Sequence, residues 1–351
     1  MTIATDFDGL LDVGRLGTWL EAEVGVDPAT LEVERLSGGM SNEIFALTHP
    51  GGRWVLRRPP RQPISMEASN RIILREFQVL RALDGTDVPH PTTVAVCGDA
   101  EVVGANFYVM QRIDGFTPRD PLPPPFDTDT GARHGLGLEL LDGLAALANV
   151  DWRGAGLEGF GKPDRFLERQ VSRWSGMLES YKVRDIEGIE GVSAWLESNR
   201  PEMSAAGIMH GDYQFVNVMF ADGAPARLAA IVDWEQSTIG DPLLDLGWLL
   251  AGWSDPGEPL PFTAYLSQRD GLPTRAELVE RYARATGRDV SRLDYYVVLA
   301  CFKLACVLEG AYARYVTGKS TSEMHRQVGD TVVRLISDAR AVIAGERKVV
   351  A

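Results

Sequence analysis

The rhythm of hydrophobic and polar positions changes twice along the chain. Residues 10–23 carry apolar side chains at helical spacing, and the pattern then shifts to β-type alternation in LEVERL (31–36), EIFALT (43–48) and RWVLRR (53–58). The Gly-Gly of SGGMSN and the pair Gly51-Gly52 separate these runs, which therefore read as an antiparallel meander. Pro59, Pro60 and Pro63 end it, and a helix is predicted over 67–83 with Ile73, Phe77 and Leu80 on one face. TTVAVC (92–97) and NFYVMQRI (106–113) add two more strands to this small unit. Beyond the proline-rich PRDPLPPPFD (118–127), helical spacing dominates at 133–148, 165–181, 190–199, 242–252, 275–286, 292–316 and 321–344. Only FVNVMF (215–220) and RLAAIVDW (227–234) look like strands there. The pattern predicts an α+β, bilobal chain. A small antiparallel-sheet lobe with one key helix occupies 1–112, and a larger, mainly helical lobe with one embedded hairpin occupies 113–351. The cleft between the lobes is the expected ligand site.

Composition narrows the chemistry. The 351 residues are 45% hydrophobic and 24% charged, enough chain for a large core without staples. With 35 basic and 49 acidic residues the formal net charge is −14, which argues against binding a phosphate backbone, so no nucleic acid partner is expected. Cys97, Cys301 and Cys306 form neither a disulfide framework nor a C-x-x-C zinc motif. Asp6, Asp8 and Asp12 stand where a secretory leader would need basic and then apolar residues, so a cytoplasmic location is expected. The longest apolar stretch, 295–308, is too short to span a bilayer and is interrupted by Lys303; a buried helix, and no membrane partner, is expected. Only 5 of the basic residues are lysines, and the first is Lys162.

Candidate chemistry concentrates in HGDYQFVNVMF (210–220) and AAIVDWE (229–235). Asp212 and Asn217 are five positions apart on a loop entering one strand, and Asp233 ends the next, so a hairpin brings the three together. The spacing matches H-R-D-x-x-x-x-N followed by a metal-binding Asp, an arrangement used for phosphoryl transfer. Asp212 would orient an attacking hydroxyl and accept its proton, while Asn217 and Asp233 would supply the hard oxygens that Mg²⁺ takes. Upstream, Gly38 and Gly39 with Ser41 and Asn42 form a glycine-rich turn between two strands, where a backbone can approach phosphates closely. Val55 and Arg57 share a face of the third strand, which would set Val55 against a base and Arg57 against phosphates. Glu76, at the margin of the buried face of the following helix, is the obvious partner for Arg57. Asp241-Pro242 reads as a helix start, and Asp245 as a carboxylate that accepts backbone hydrogen bonds bracing the catalytic loop. Near-matches to a P-loop at 156–163 and 318–320 fail, because Pro163 lacks the hydroxyl and Ala313 occupies a glycine position. G-x-S-x-G and H-E-x-x-H are absent, which removes the simplest serine-hydrolase and zincin readings.

Carried by LSGGMSNEIF, WVLRRPP, REFQVLRAL, FYVMQRIDG, FLERQVSRW, HGDYQFVNVMF and IVDWEQSTIGDPLLDLGW, the sequence resembles the aminoglycoside phosphotransferase and choline-kinase-like branch of the protein-kinase fold. It looks most like the phosphotransferase domains related to those attached to acyl-CoA dehydrogenases. The resemblance implies a protein-kinase-like fold and ATP, with GTP also compatible, bound at the lobe junction against the backbone of Met110, Gln111 and Ile113. It further implies Mg²⁺ and transfer of the γ-phosphoryl group to a hydroxyl of a small molecule, either aminoglycoside-like or a hydroxyacyl or hydroxy-acid compound. Arg57 departs from the usual lysine, yet the small lobe contains no lysine at all. Gly211 stands where protein kinases carry Arg, and only seven residues separate Asp233 from Asp241, so no long activation segment fits. Both features point to a small-molecule acceptor. Two rival readings are a metal-dependent hydrolase using His210, Asp212 and Asp233, and a catalytically silent nucleotide-binding module.

Overall fold

In the computed structural model the described residues are 7, 9–36, 42–63, 65–203, 205–255, 257, 258, 266 and 270–350. Gly38, Gly39 and Ser41 of the glycine-rich turn lie outside them. The first helix, α1 (Val13–Val24), starts three residues later than its apolar spacing suggests because the Asp12 side chain accepts the Arg15 amide at 3.0 Å and caps it. Strands β1 (Glu32–Leu36), β2 (Glu43–His49) and β3 (Gly52–Arg58) form the expected antiparallel meander. After α2 (Met66–Ala82), β4 (Thr93–Cys97), the short α3 (Ala100–Val103) and β5 (Phe107–Gln111), the sheet closes in the order β1-β2-β3-β5-β4.

Register divides the sheet's side chains between two jobs. Phe45, Leu56 and Val109 align on one face and pack with Leu16 and Leu20 of α1 in a separate small core. Ala46, Val55 and Met110 align on the other face, as do Arg57 and Tyr108. Residues 55–58 are buried in succession rather than alternately because both faces are covered. Helix α2, capped by Ser65, turns Ile73, Glu76, Val79 and Leu80 inward and joins the larger core.

The larger part is helical: α4 (Thr130–Ala148), α5 (Gln170–Glu179), α6 (Ile189–Ser198), α7 (Leu243–Ala251), α8 (Arg275–Thr286), α9 (Leu293–Val316) and α10 (Glu323–Ile343). Two short antiparallel pairs sit among them: β6 (Gly207–Met209) with β9 (Thr238–Gly240), and β7 (Val218–Phe220) with β8 (Leu228–Ile231). Helix α9 is at the centre, packed against α5, α6, α7 and α10. By length and composition alone its 24 residues could cross a membrane, but two-thirds of its apolar window is buried inside the protein, as a core helix requires.

Three departures from the expected elements matter for the site. The run 215–220 begins as a 3₁₀ turn, Phe215–Asn217, before becoming β7. The run 227–234 ends as a strand at Ile231, and Asp233 adopts a left-handed backbone at φ 68° before a second 3₁₀ turn, Trp234–Gln236. β6 and β9 were not expected at all, since three residues show no usable period.

The chain crosses from sheet to helices at Gly115-Phe116, where Phe116 exchanges backbone hydrogen bonds of 2.9 and 2.8 Å with Phe220. Gly115 has φ 135°, and a Cβ there would collide with the Phe220 carbonyl oxygen. Gly115→Ala should therefore destabilise the protein by about 3 kcal/mol in urea unfolding; a loss below about 1 kcal/mol would show the crossing to be adaptable.

Candidate active site

The loop after β6 is held in place before any ligand is considered. Asp245 of α7 is buried, and its carboxylate accepts the amides of His210 (2.6 Å) and Gly211 (2.9 Å), the brace expected from sequence. Burial pushes its carboxyl up, opposed by these hydrogen bonds and by Lys303. Gly211 has φ 86°, and a Cβ there would lie 2.5 Å from the Gln236 carbonyl oxygen, so the position requires glycine. His210 Nε2 lies 2.9 Å from the Val232 carbonyl, and Nδ1 accepts the Asp212 amide at 3.3 Å. A carbonyl can only accept and an amide N–H only donate, so both ring nitrogens are engaged by backbone in this geometry, which favours a bracing role for His210 over metal ligation.

Asp212 emerges from this loop half-buried. Its Oδ2 accepts Asn217 Nδ2 at 2.9 Å and its Oδ1 accepts Gln214 Nε2 at 2.6 Å. Burial pushes its carboxyl above the usual Asp range, opposed by the Lys303 ammonium and the Asn217 hydrogen bond. The 3₁₀ turn at Phe215–Asn217 folds the Asn217 amide nitrogen back onto Asp212, which leaves Oδ1 as its remaining ligand atom. The Asn217 carbonyl accepts the Val232 amide at 2.9 Å, tying the turn to the residue before Asp233. A left-handed aspartate is a strained choice, the kind of backbone strain that clusters at functional sites.

Arg57 meets this group from the sheet. Its Nε lies 3.0 Å from Glu76 Oε2, its Nη2 bonds Asp233 Oδ1, and Glu235 Oε2 stands 3.9 Å away. The Tyr108 hydroxyl donates to Glu76 at 2.8 Å, and Asn42 Nδ2 lies 3.4 Å from Glu235. Burial alone would weaken the Arg57 charge, yet the surrounding carboxylates hold its pKa above the ordinary value. Burial pushes Glu76 up, to about 7, while Arg57 and the Tyr108 hydrogen bond pull it down. Carboxylate oxygens of Glu76, Asp233 and Glu235 lie within 4.8 Å of one another, an all-oxygen set of the hardness that suits Mg²⁺ rather than zinc.

Of the remaining expected residues, Val55 pairs with Met110 on the cleft face, and Gln111 donates its amide to Thr92 at 2.8 Å. Among the described residues nothing accepts the Ile113 amide. Asp241 is fully buried, with its oxygens engaged by the Tyr296 hydroxyl (2.7 Å) and the Leu243 amide (3.1 Å), so it starts α7 rather than holding a metal.

Beside Asp212 opens a cavity of about 490 Å³ walled by Phe215, Trp248, Trp253, Leu304, Met324 and Val328. Gln214 and Gln236 add polar atoms, and Asp212 is the one carboxylate among the described residues lining it, with the buried Cys301 thiol also in the wall. Trp248, expected as core, is half-buried and forms part of this wall. Sequence reasoning did not assign roles to Lys303, Glu235, Gln214 or Tyr108; the lone charge in 295–308 was the available signal for the first, and D-W-E for the second. Because Arg57 serves two buried or half-buried carboxylates, Arg57→Met should cost about 3–5 kcal/mol in urea unfolding, the cost of stranding a buried charge, against under 1 kcal/mol for a solvated pair.

The model of the phosphotransferase enzyme family matches residues 32–294. Acyl-CoA dehydrogenase family member 11 of Pongo abelii is 32% identical over 300 residues, covering 84% of this chain and 38% of that protein. The chain thus spans about two-fifths of the length of such curated relatives. A crystal structure from Ralstonia eutropha JMP134, named for the aminoglycoside phosphotransferases, superposes with a TM-score of 0.83 at 29% identity, covering 95% of this chain and 98% of the other. A thermostable mutant aminoglycoside phosphotransferase in ternary complex with AMP-PNP and hygromycin B, 16% identical, shares the kinase-like fold at a TM-score of 0.57 over 94% of this chain and 97% of its own. With its bilobal α+β architecture and this match over most of its length, the chain belongs to the phosphotransferase enzyme family.

Proposed function

We propose that the protein is an ATP- and Mg²⁺-dependent O-phosphotransferase that moves the γ-phosphoryl group to a hydroxyl of a small molecule. The observation that carries this reading is the meeting of Asp212 and Asn217 on one hairpin with Asp233 on the next strand's end, opposite Arg57 and its buried partner Glu76. In this reading Asp212 orients the acceptor hydroxyl and takes its proton. Asn217 Oδ1 and Asp233 would hold Mg²⁺, which neutralises phosphate charge when bound. Their fit rests on chemistry already described: the Asn217 nitrogen is spent on Asp212, and Asp233 already faces a cation. Arg57 steadies the phosphates while Glu76 and Tyr108 fix its fork. Gly38, Gly39, Ser41 and Asn42 would cover the phosphates, and Val55 with the Met110–Ile113 backbone would take the base, the Ile113 amide, which has no acceptor among the described residues, being suited to a ring nitrogen. The AMP-PNP held by the hygromycin-binding relative supports the choice of nucleotide.

The cavity beside Asp212 bears on the acceptor. A polycationic aminoglycoside needs several carboxylates, whereas this wall is mainly apolar and offers one among the described residues. It favours a hydroxyacyl or hydroxy-acid compound whose hydrocarbon part lies against Trp248 and Leu304. We place the enzyme in the cytoplasm, where ATP and reduced thiols are available.

Transfer from labelled ATP is to be measured over aminoglycosides, choline-like amines and a medium-chain hydroxyacyl-CoA series. Phosphorylation of the hydroxyacyl series is expected, and preference for an aminoglycoside would overturn the acceptor assignment. Asp212→Ala should lower kcat by at least ~10²-fold with nucleotide affinity nearly intact, the usual worth of a positioned acid–base group; near-normal turnover would refute its role. EDTA should abolish transfer and added Mg²⁺ restore it; activity that survives chelation would count against the metal.

A further inference from the structure

Lys303 is a charge in the middle of the most apolar stretch of the chain, on a helix packed against α5, α6, α7 and α10. It is only 6% exposed. An ammonium so placed needs a reason, because burying an unpaired charge is expensive. Its Nζ donates to the Gly211 carbonyl at 2.6 Å. The Trp248 ring centroid lies 4.4 Å from Nζ and that of Trp174 5.6 Å, so two indoles confine the ammonium laterally. Asp245 and Asp212 are the carboxylates close enough to act on it, and Arg173 is the nearby cation.

The acceptor of that hydrogen bond is the informative part. The Gly211 carbonyl belongs to the peptide that joins Gly211 to Asp212, and the amide of the same peptide donates to His210 Nδ1. One peptide plane is therefore held at both ends, its oxygen by Lys303 and its N–H by His210. The plane adjoins a glycine at φ 86°, a residue without the Cβ that would restrict rotation of the plane. Rotation about the Gly211 Cα–C bond, which carries this plane with it, would redirect the Asp212 side chain that now lines the cavity. Asp245 fixes the preceding amides but not this oxygen.

We propose that Lys303 is a positioning residue for phosphoryl transfer, locking the Gly211–Asp212 peptide plane and so aiming the Asp212 carboxylate at the acceptor cavity. This rests on the reading of Asp212 as the group that orients the hydroxyl. Lys303 touches neither nucleotide nor acceptor in this assignment; Trp248 links it to the cavity, one ring serving as its cover and as the cavity wall.

The test uses the full chain, labelled ATP and the hydroxyacyl-CoA series. Lys303→Met should lower kcat by about 30-fold or more, since small misplacement of a catalytic group is costly, while both KM values stay within about threefold. Lys303→Arg keeps the charge, stacks between indoles and should stay within about fivefold of the wild-type kcat. If the methionine variant is unfolded by circular dichroism, Lys303→Gln, whose shorter side chain stops short of the carbonyl, takes its place with the same expected loss. A folded Met or Gln variant with wild-type kcat, or one whose loss resides in KM for ATP, overturns the proposal while leaving the phosphotransferase reading standing. A wild-type chain that phosphorylates no acceptor overturns both.

Discussion

The guanidinium of Arg57 is the point on which the rest of the site depends. It is a buried cation contributed by the sheet, and it is satisfied by Glu76 from α2 and by Asp233 from the helical part. A lysine would offer its three donors from a single nitrogen here. The planar fork of arginine reaches one carboxylate through Nε and another through Nη2 at once. The replacement of the usual lysine is thus accommodated by a geometry that uses the extra donors. The same interaction lies on the sheet face that looks toward the helices, while the α1 side of the sheet packs in a core of its own.

On the opposite side the organising principle is immobilisation of backbone. Four side chains, Asp245, His210, Asn217 and Lys303, each bond main-chain groups of the loop carrying Asp212 or of its neighbour strand. Such a loop has the Asp212 carboxylate set in place before ligands arrive, the condition under which, on the proposed reading, electrostatic stabilisation would need no reorganisation. His210 is consistent with this: its ring is a cross-brace between the loop and Val232.

Much of this was legible in the sequence for reasons that can be named. Period and turn residues located the sheet, α2 and most helices, because those signals are local. The pairing of Arg57 with Glu76 was accessible because strand alternation and helix spacing each put a charge on an inner face. The Asp212, Asn217 and Asp233 group was accessible because two strands joined by a short turn must lie side by side. What escaped was decided by long-range contacts. Pairing of β6 with β9 joins segments about thirty residues apart with three residues each, too few to show alternation. The partner of Lys303 is a carbonyl 92 positions away, and no spacing rule connects them. The left-handed turn at Asp233 replaces the simple strand end that hydrophobicity suggested, since backbone strain leaves no mark on polarity. Trp248 looked like packing because an indole wall and an indole core share the same composition.

The low charge of the cavity wall, where Asp212 is the one carboxylate among the described residues, has a consequence for the competing nucleophile that is always present, water. Water entering the cavity finds indole, leucine and methionine surfaces and few groups to hold it in line for attack. On the proposed reading, a hydroxyl borne on a hydrocarbon would displace that poorly held solvent as it docks, and the dryness of its berth would favour the alcohol over hydrolysis. Frugality with nucleotide would then be a property of the wall and not of the acid at its edge.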